Sequence, residues 1–165
     1  MTKETIFSPC RTYRYALWRE WSSGDGYAMF VGLNPSTADE THDDPTIRRC
    51  IAFAEAWGYS GLCMTNLFAY RATKPADMKA AVDPVGPDTD RHLQTLAASA
   101  GVIVAAWGVN GTHKGRDIEV RKLLPALHCL QLTKSGHAKH PLYLLKTLTP
   151  VPMASNLAVH TDAAR

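Results

Sequence analysis

No apolar run in this chain approaches the roughly 20 residues that span a bilayer. Residues 1–11 carry Lys3, Glu4 and Pro9 where a signal core would be apolar. Neither a membrane anchor nor secretion is therefore expected, and the protein is assigned to the cytoplasm. There is no internal repeat, no low-complexity block and no linker, so residues 1–165 read as one domain. Cysteine is sparse: Cys10, Cys50, Cys63 and Cys129 form no CxxC pair, which argues against a zinc ribbon or a thioredoxin-like site. Three of them sit in apolar segments (CIAF, LCM, HCL) and read as buried thiols. No P-loop is present, because GxxxxGK[ST] does not occur. No cofactor and no metal are expected. Acid is also missing locally. Residues 120–161 contain no Asp or Glu, while Arg121, Lys122, Lys134, Lys139 and Lys146 all fall there.

What is present is ordinary globular material. Of the 165 residues, 45% are apolar and 20% charged, which excludes a disordered chain. The net charge of +3 is too small to identify a partner by itself. Weak alternation over 13–18 predicts an edge strand. Continuous apolar runs at 28–33, 61–68, 102–107 and 127–132 predict four buried strands. Between them, Asp44-Pro45 followed by Ile47, Cys50, Ile51, Ala54 and Trp57 predicts a capped helix that stops at Gly58. Leu93, Leu96, Ala97 and Ala100 predict a second helix after Pro87, and a third is placed over about 115–124. The stretch holding Pro75, Pro84 and Pro87 reads as a loop. Buried strands separated by helices imply an α/β fold. The expected form is a three-layer α/β/α sandwich around a mostly parallel four-stranded sheet, with a possible N-terminal edge strand.

In such a sheet ligands bind beyond the carboxyl ends of the strands, which selects four loops. Asn34, in Gly32-Leu33-Asn34-Pro35-Ser36, can position a water or recognise a polar ring; the alternative is plain turn chemistry. Asn66 and Phe68 can read and stack on a base, or cap the strand and fill the core. Arg71 suits a phosphate, as do Lys134 and Lys139 in the fourth loop. Gly108, Lys114 and Arg116 offer a phosphate-binding helix start. His140, beside Pro141, can donate to a developing anion, act as acid or base, or bind metal, although no Cys or Glu spacing around it and His137 supports zinc. Asp39, Glu40, Asp43 and Asp44 form an acidic cluster that would repel a phosphate backbone.

YRYALWREW, VGLNPSTAD, DPTIRRC, TNLFAYRAT and GHAKHPLYL, in this order, resemble the bacterial and phage family called domain of unknown function 1643, over about residues 10–150. More distantly, the order of motifs is similar to the uracil-DNA glycosylase superfamily. Gly32-Leu33-Asn34-Pro35 resembles its water-positioning loop, Thr65-Asn66 its second strand end, Trp107-Gly108 its third, and His140-Pro141 its His-Pro loop. Ser36 and Leu142 depart from that pattern. The resemblance implies a single glycosylase-like domain that hydrolyses an N-glycosidic bond to an extruded nucleobase. Asn34 and His140 would be catalytic, Phe68 and Asn66 would bind the base, and Arg71, Lys134 and Lys139 would hold phosphates. Nucleic acid or nucleotide is the implied partner. The alternatives are a small-molecule nucleoside- or nucleotide-processing enzyme on the same scaffold, and a non-catalytic nucleic-acid-binding module.

Overall fold

The computed structural model describes residues 1–153. Its seven strands are β1 (Thr2–Phe7), β2 (Arg14–Glu20), β3 (Tyr27–Gly32), β4 (Gly61–Asn66), β5 (Val102–Ala105), β6 (Leu127–Cys129) and β7 (Val151–Pro152). They form one sheet in the order β1-β2-β4-β3-β5-β6-β7. The four apolar runs are the parallel centre, β4-β3-β5-β6. Antiparallel strands flank this centre on both sides. Among the described residues the α-helices are α1 (Pro45–Ala56), α2 (Pro75–Ala80), α3 (Thr89–Ala97) and α4 (Arg116–Leu123). The chain is thus mixed α/β, with a larger sheet than the four strands and one edge strand expected.

The strand read over 13–18 is not an edge: β2 pairs with β1 on one side and with β4 on the other. The true edge, β1, has an exposed first half, so its sequence TKETIF carries no burial signal. The proline-rich loop contains α2, which starts on Pro75 and buries only Met78, too little for an apolar period to register.

Side-chain alternation along the strands divides the core. Ala28, Phe30, Leu62, Met64, Val104 and Ala106 share one buried cluster with Ile47, Cys50, Ile51, Phe53 and Ala54 of α1. Met29, Val31, Cys63, Ile103 and Ala105 share the other with Met78, Leu93 and Val120 from α2, α3 and α4. Cys50, Cys63 and Cys129 are buried, and burial pushes the Cys50 and Cys63 thiols up. Among the described residues, no helix is long and apolar enough to cross a membrane.

The acidic cluster turns out to be internal wiring. Fully buried Arg19 donates from Nε to Asp43 (2.7 Å) and from Nη2 to the Asp39 carbonyl. Lys3 approaches Asp43 at 3.7 Å, and Glu40 pairs with Arg11. The Asp39 carboxylate accepts from the backbone N–H groups of Thr41 and His42, which hold its pKa well below the usual carboxylate range. Asp39, Glu40 and Asp43 are therefore answered by Lys3, Arg11, Arg19 and local backbone rather than left to repel a ligand. The end of the acid-free stretch, 154–161, lies outside the described residues.

Candidate functional site

The chain leaves β3 for β4 on one side, then crosses back to β5 and continues to β6 on the other. The order reverses between β3 and β5, and a crevice is expected beyond their carboxyl ends. A cleft of ≈ 600 Å³ lies there, bordered by Gly32 ending β3 and Asn34 after it, Asn66 ending β4, Trp107 and Gly108 after β5, and His140. Its size is that of an ordinary small-molecule site.

The loops are stitched into place by backbone bonds. Ala72 N–H donates to Pro35 O (3.0 Å), and Gly108 N–H donates to Ala138 O (2.8 Å). Gly108 has φ 72°, a conformation that glycine takes without strain. The His140 loop is drawn onto α1, where Arg49 donates to Leu144 O and Trp57 Nε1 to Leu148 O (3.1 Å).

Asn34 donates from Nδ2 to Pro35 O (3.1 Å) and Ala72 O (2.8 Å). Two carbonyl partners fix which end of the amide is nitrogen. Its Oδ1 is left without a protein partner among the described residues, as an acceptor on a cleft-lining side chain. Asn66 is buried at 4% exposure, and its Nδ2 has no partner. Gly32 makes room for it: a Cβ there would stand 2.9 Å from Asn66 Oδ1 and 2.8 Å from Met64 Cε.

His140 is exposed. Its Nδ1 accepts from the Leu142 N–H (3.2 Å), so the neutral ring carries its proton on Nε2. Partial desolvation lowers its pKa from the ordinary histidine value, against the opposing pull of Asp44. A neutral imidazole with a free N–H is a hydrogen-bond donor that brings no full charge.

The other four expected site residues lie off the cleft. Phe68 is fully buried in the core, 5.6 Å from the His113 ring, so it offers no face to a base. Arg71 stacks its guanidinium 4.7 Å above Phe7 and donates to Arg11 O (3.2 Å). Lys134 and Lys139 belong to a hairpin closed by a bridge between Leu132 and Ala138, with Lys134 exposed at its tip. Arg116 does not open a phosphate site: it is buried and donates to Leu67 O, Glu119 and Asp90. Among the described residues, no three His, Cys, Asp or Glu are grouped to hold a metal.

Two cleft residues were not singled out as site residues from the sequence. Asp44, the N-cap of α1, accepts from Ile47 N–H (2.8 Å) and is the one carboxylate on the cleft wall among the described residues. Arg14, at the start of β2, also lines the cleft at 3% exposure. Burial lowers its pKa to about 10, opposed by Asp44. A shift of that size costs the folded state on the order of 3 kcal/mol at neutral pH. The sequence signal was there to read: a charge inside an apolar alternating strand.

Residues 14–142 match the model of the family described as a protein of unknown function, DUF1643. No curated protein and no solved structure matches the chain. The match runs from Arg14 to Leu142, which are also the first and last residues on the cleft wall. The parallel centre of the sheet and the cleft thus fall inside one matched span, and the chain belongs to the DUF1643 family of proteins of unknown function.

Proposed function

We propose that this cleft hydrolyses an N-glycosidic bond, releasing a nucleobase from a nucleotide. One observation carries the reading. An acceptor oxygen on Asn34, a neutral N–H donor on His140 and the amide of Asn66 come from separate strand-end loops and meet in one cleft at the switch point. The two core clusters fit a three-layer α/β/α sandwich, the arrangement of the uracil-DNA glycosylase superfamily that the motif order resembles.

The chemistry follows from those polarities. Asn34 Oδ1 accepts a hydrogen bond from water and turns a water lone pair toward the sugar carbon. The bond from that carbon to the base nitrogen breaks, and its electron pair leaves with the base. His140 Nε2–H donates to the base as negative charge builds there, the electrostatic role of an oxyanion-hole donor. The water oxygen bonds to the sugar carbon, and its released proton neutralises the base anion. Asp44 supplies negative charge beside the sugar as positive charge develops on it. Asn66 hydrogen-bonds the base edge.

A free nucleotide, rather than an extruded one in a polymer, is the second reading. It is favoured because Arg71, Lys134 and Lys139 stand off the cleft while Arg14 lies within it. The test incubates the protein with single- and double-stranded oligonucleotides carrying uracil, mismatches or modified pyrimidines, and with free nucleotides. Released base is read by chromatography. Abasic oligonucleotide supports the polymer form, and base from free nucleotides alone supports the second. No base from any substrate, where a control glycosylase is active, rejects both.

A further inference from the structure

Among the described residues three arginines are buried to 3% exposure or less, and two are fully explained. Arg19 donates to a carboxylate and three carbonyls, and Arg116 to two carboxylates and a carbonyl. Arg14 makes a single side-chain bond, from Nη1 to Ala38 O (2.8 Å). Its Nε is buried without a partner, its Nη2 has none among the described residues, and no carboxylate forms an ion pair with it there. Asp44 and Asp39 favour its charge from a distance, but neither carboxylate bonds it among the described residues. Asp39 accepts from Thr41 and His42, and Asp44 caps α1. Buried guanidinium groups are ordinarily paired, and one left over in a cleft asks for an anion from outside the chain.

The same wall carries the amino end of α1, a helix of 12 residues. Pro45 has no N–H there, Ile47 N–H is taken by Asp44, and Thr46 presents a hydroxyl and an N–H without partners among the described residues. A helix amino end with open donors favours negative charge.

From these two features together we infer that Arg14 and Thr46 form an oxyanion subsite in the cleft that takes a phosphate group of the ligand. A phosphate has enough oxygens to accept from the guanidinium fork and from Thr46 at once. The subsite deepens the proposed function by naming what the substrate must carry. It rests on that reading only for the choice of ligand, because phosphate binding requires no turnover. Asp44 lies on the same wall and opposes an anion, so affinity for bare phosphate is set low and is sensitive to that carboxylate.

The experiment titrates inorganic phosphate into the full chain at constant ionic strength. The Arg14 Nε–H resonance is followed by ¹H–¹⁵N NMR, assigned by its loss in Arg14→Lys. A saturable shift is expected, with a rise in thermal midpoint that matched chloride does not produce. Arg14→Met abolishes the rise, and Asp44→Asn tightens phosphate about fivefold or more by removing a like charge. A nucleoside 5′-monophosphate binds more tightly than its nucleoside. A single-stranded oligonucleotide binding better than the mononucleotide, in an Arg14-dependent way, assigns the subsite to a chain phosphate; the reverse order assigns it to a free nucleotide. A flat Nε–H resonance overturns the inference. So does a phosphate response that survives Arg14→Met, or a nucleoside that binds as well as its monophosphate. None of these readouts depends on base release, so glycosidic activity can fail while the subsite stands.

Discussion

Buried arginine separates residues that hold this fold from residues held by it. Arg19 and Arg116 bond the β2 and α4 backbones to loops and carboxylates. Removing Arg19 leaves the mostly buried Asp43 carboxylate and three carbonyls unanswered, so Arg19→Met destabilises by roughly 3 kcal/mol or more. The carboxylate partners of Arg116 are half exposed and stay solvated, so Arg116→Met destabilises less. Arg14 reverses the expectation. A charge buried with one hydrogen bond opposes folding, and a methionine of similar length removes it. Arg14→Met therefore leaves stability unchanged or raises it, as read by urea denaturation of the three variants side by side. A loss for Arg14→Met as large as for Arg19→Met would show that Arg14 is structural.

Helix α1 does two jobs with one end. Its buried side chains pack on β3, β4 and β5, while its amino end forms part of the cleft. Asp44 serves both, as N-cap and as cleft carboxylate, and substitution separates the two. Asparagine caps nearly as well as aspartate, whereas alanine loses the cap and about 1 kcal/mol. Asp44→Asn should keep the thermal midpoint within a degree or two and lose most of the turnover; Asp44→Ala should lose both. Equal turnover in Asp44→Asn and the native chain would confine Asp44 to capping. This helix was legible because Asp44, Pro45 and the spacing of Ile47, Cys50, Ile51 and Ala54 all agree, and Gly58 ends it in a left-handed turn (φ 88°). The elements that escaped were those without a burial period. β1 is half exposed, β7 is two residues long, and α2 buries one side chain.

Across the whole molecule, the cleft positions of Asn34, Asn66 and His140 were legible because the strand-end rule needs only strand positions, and the four apolar runs supplied them. Phe68, Arg71, Lys134 and Lys139 stand off the cleft because side-chain direction is decided by packing: Phe68 turns into the core, and Arg71 lies over Phe7. The same packing gives the protein an acid-sensitive profile. Desolvation, only partial at the exposed His140, lowers the pKa of His92, His113 and His140 from the ordinary value near 6.5. As pH falls below that value, the unfolded chain takes up protons that the folded chain resists. The depressed Asp39 carboxyl adds its own loss only below about pH 4, where the unfolded carboxyl protonates first. Stability is therefore complete above about pH 6.5 and declines toward pH 4.5, as the urea midpoint would record; a midpoint that is flat or rises with acid would contradict this. The proposed hydrolysis assigns Asn34 the orientation of water. The decisive measurement is kcat/KM for base release by native protein and Asn34→Ala on the best substrate found, with thermal midpoints taken in parallel. A loss of about 100-fold or more at an unchanged midpoint is predicted, and undiminished turnover in Asn34→Ala would contradict it.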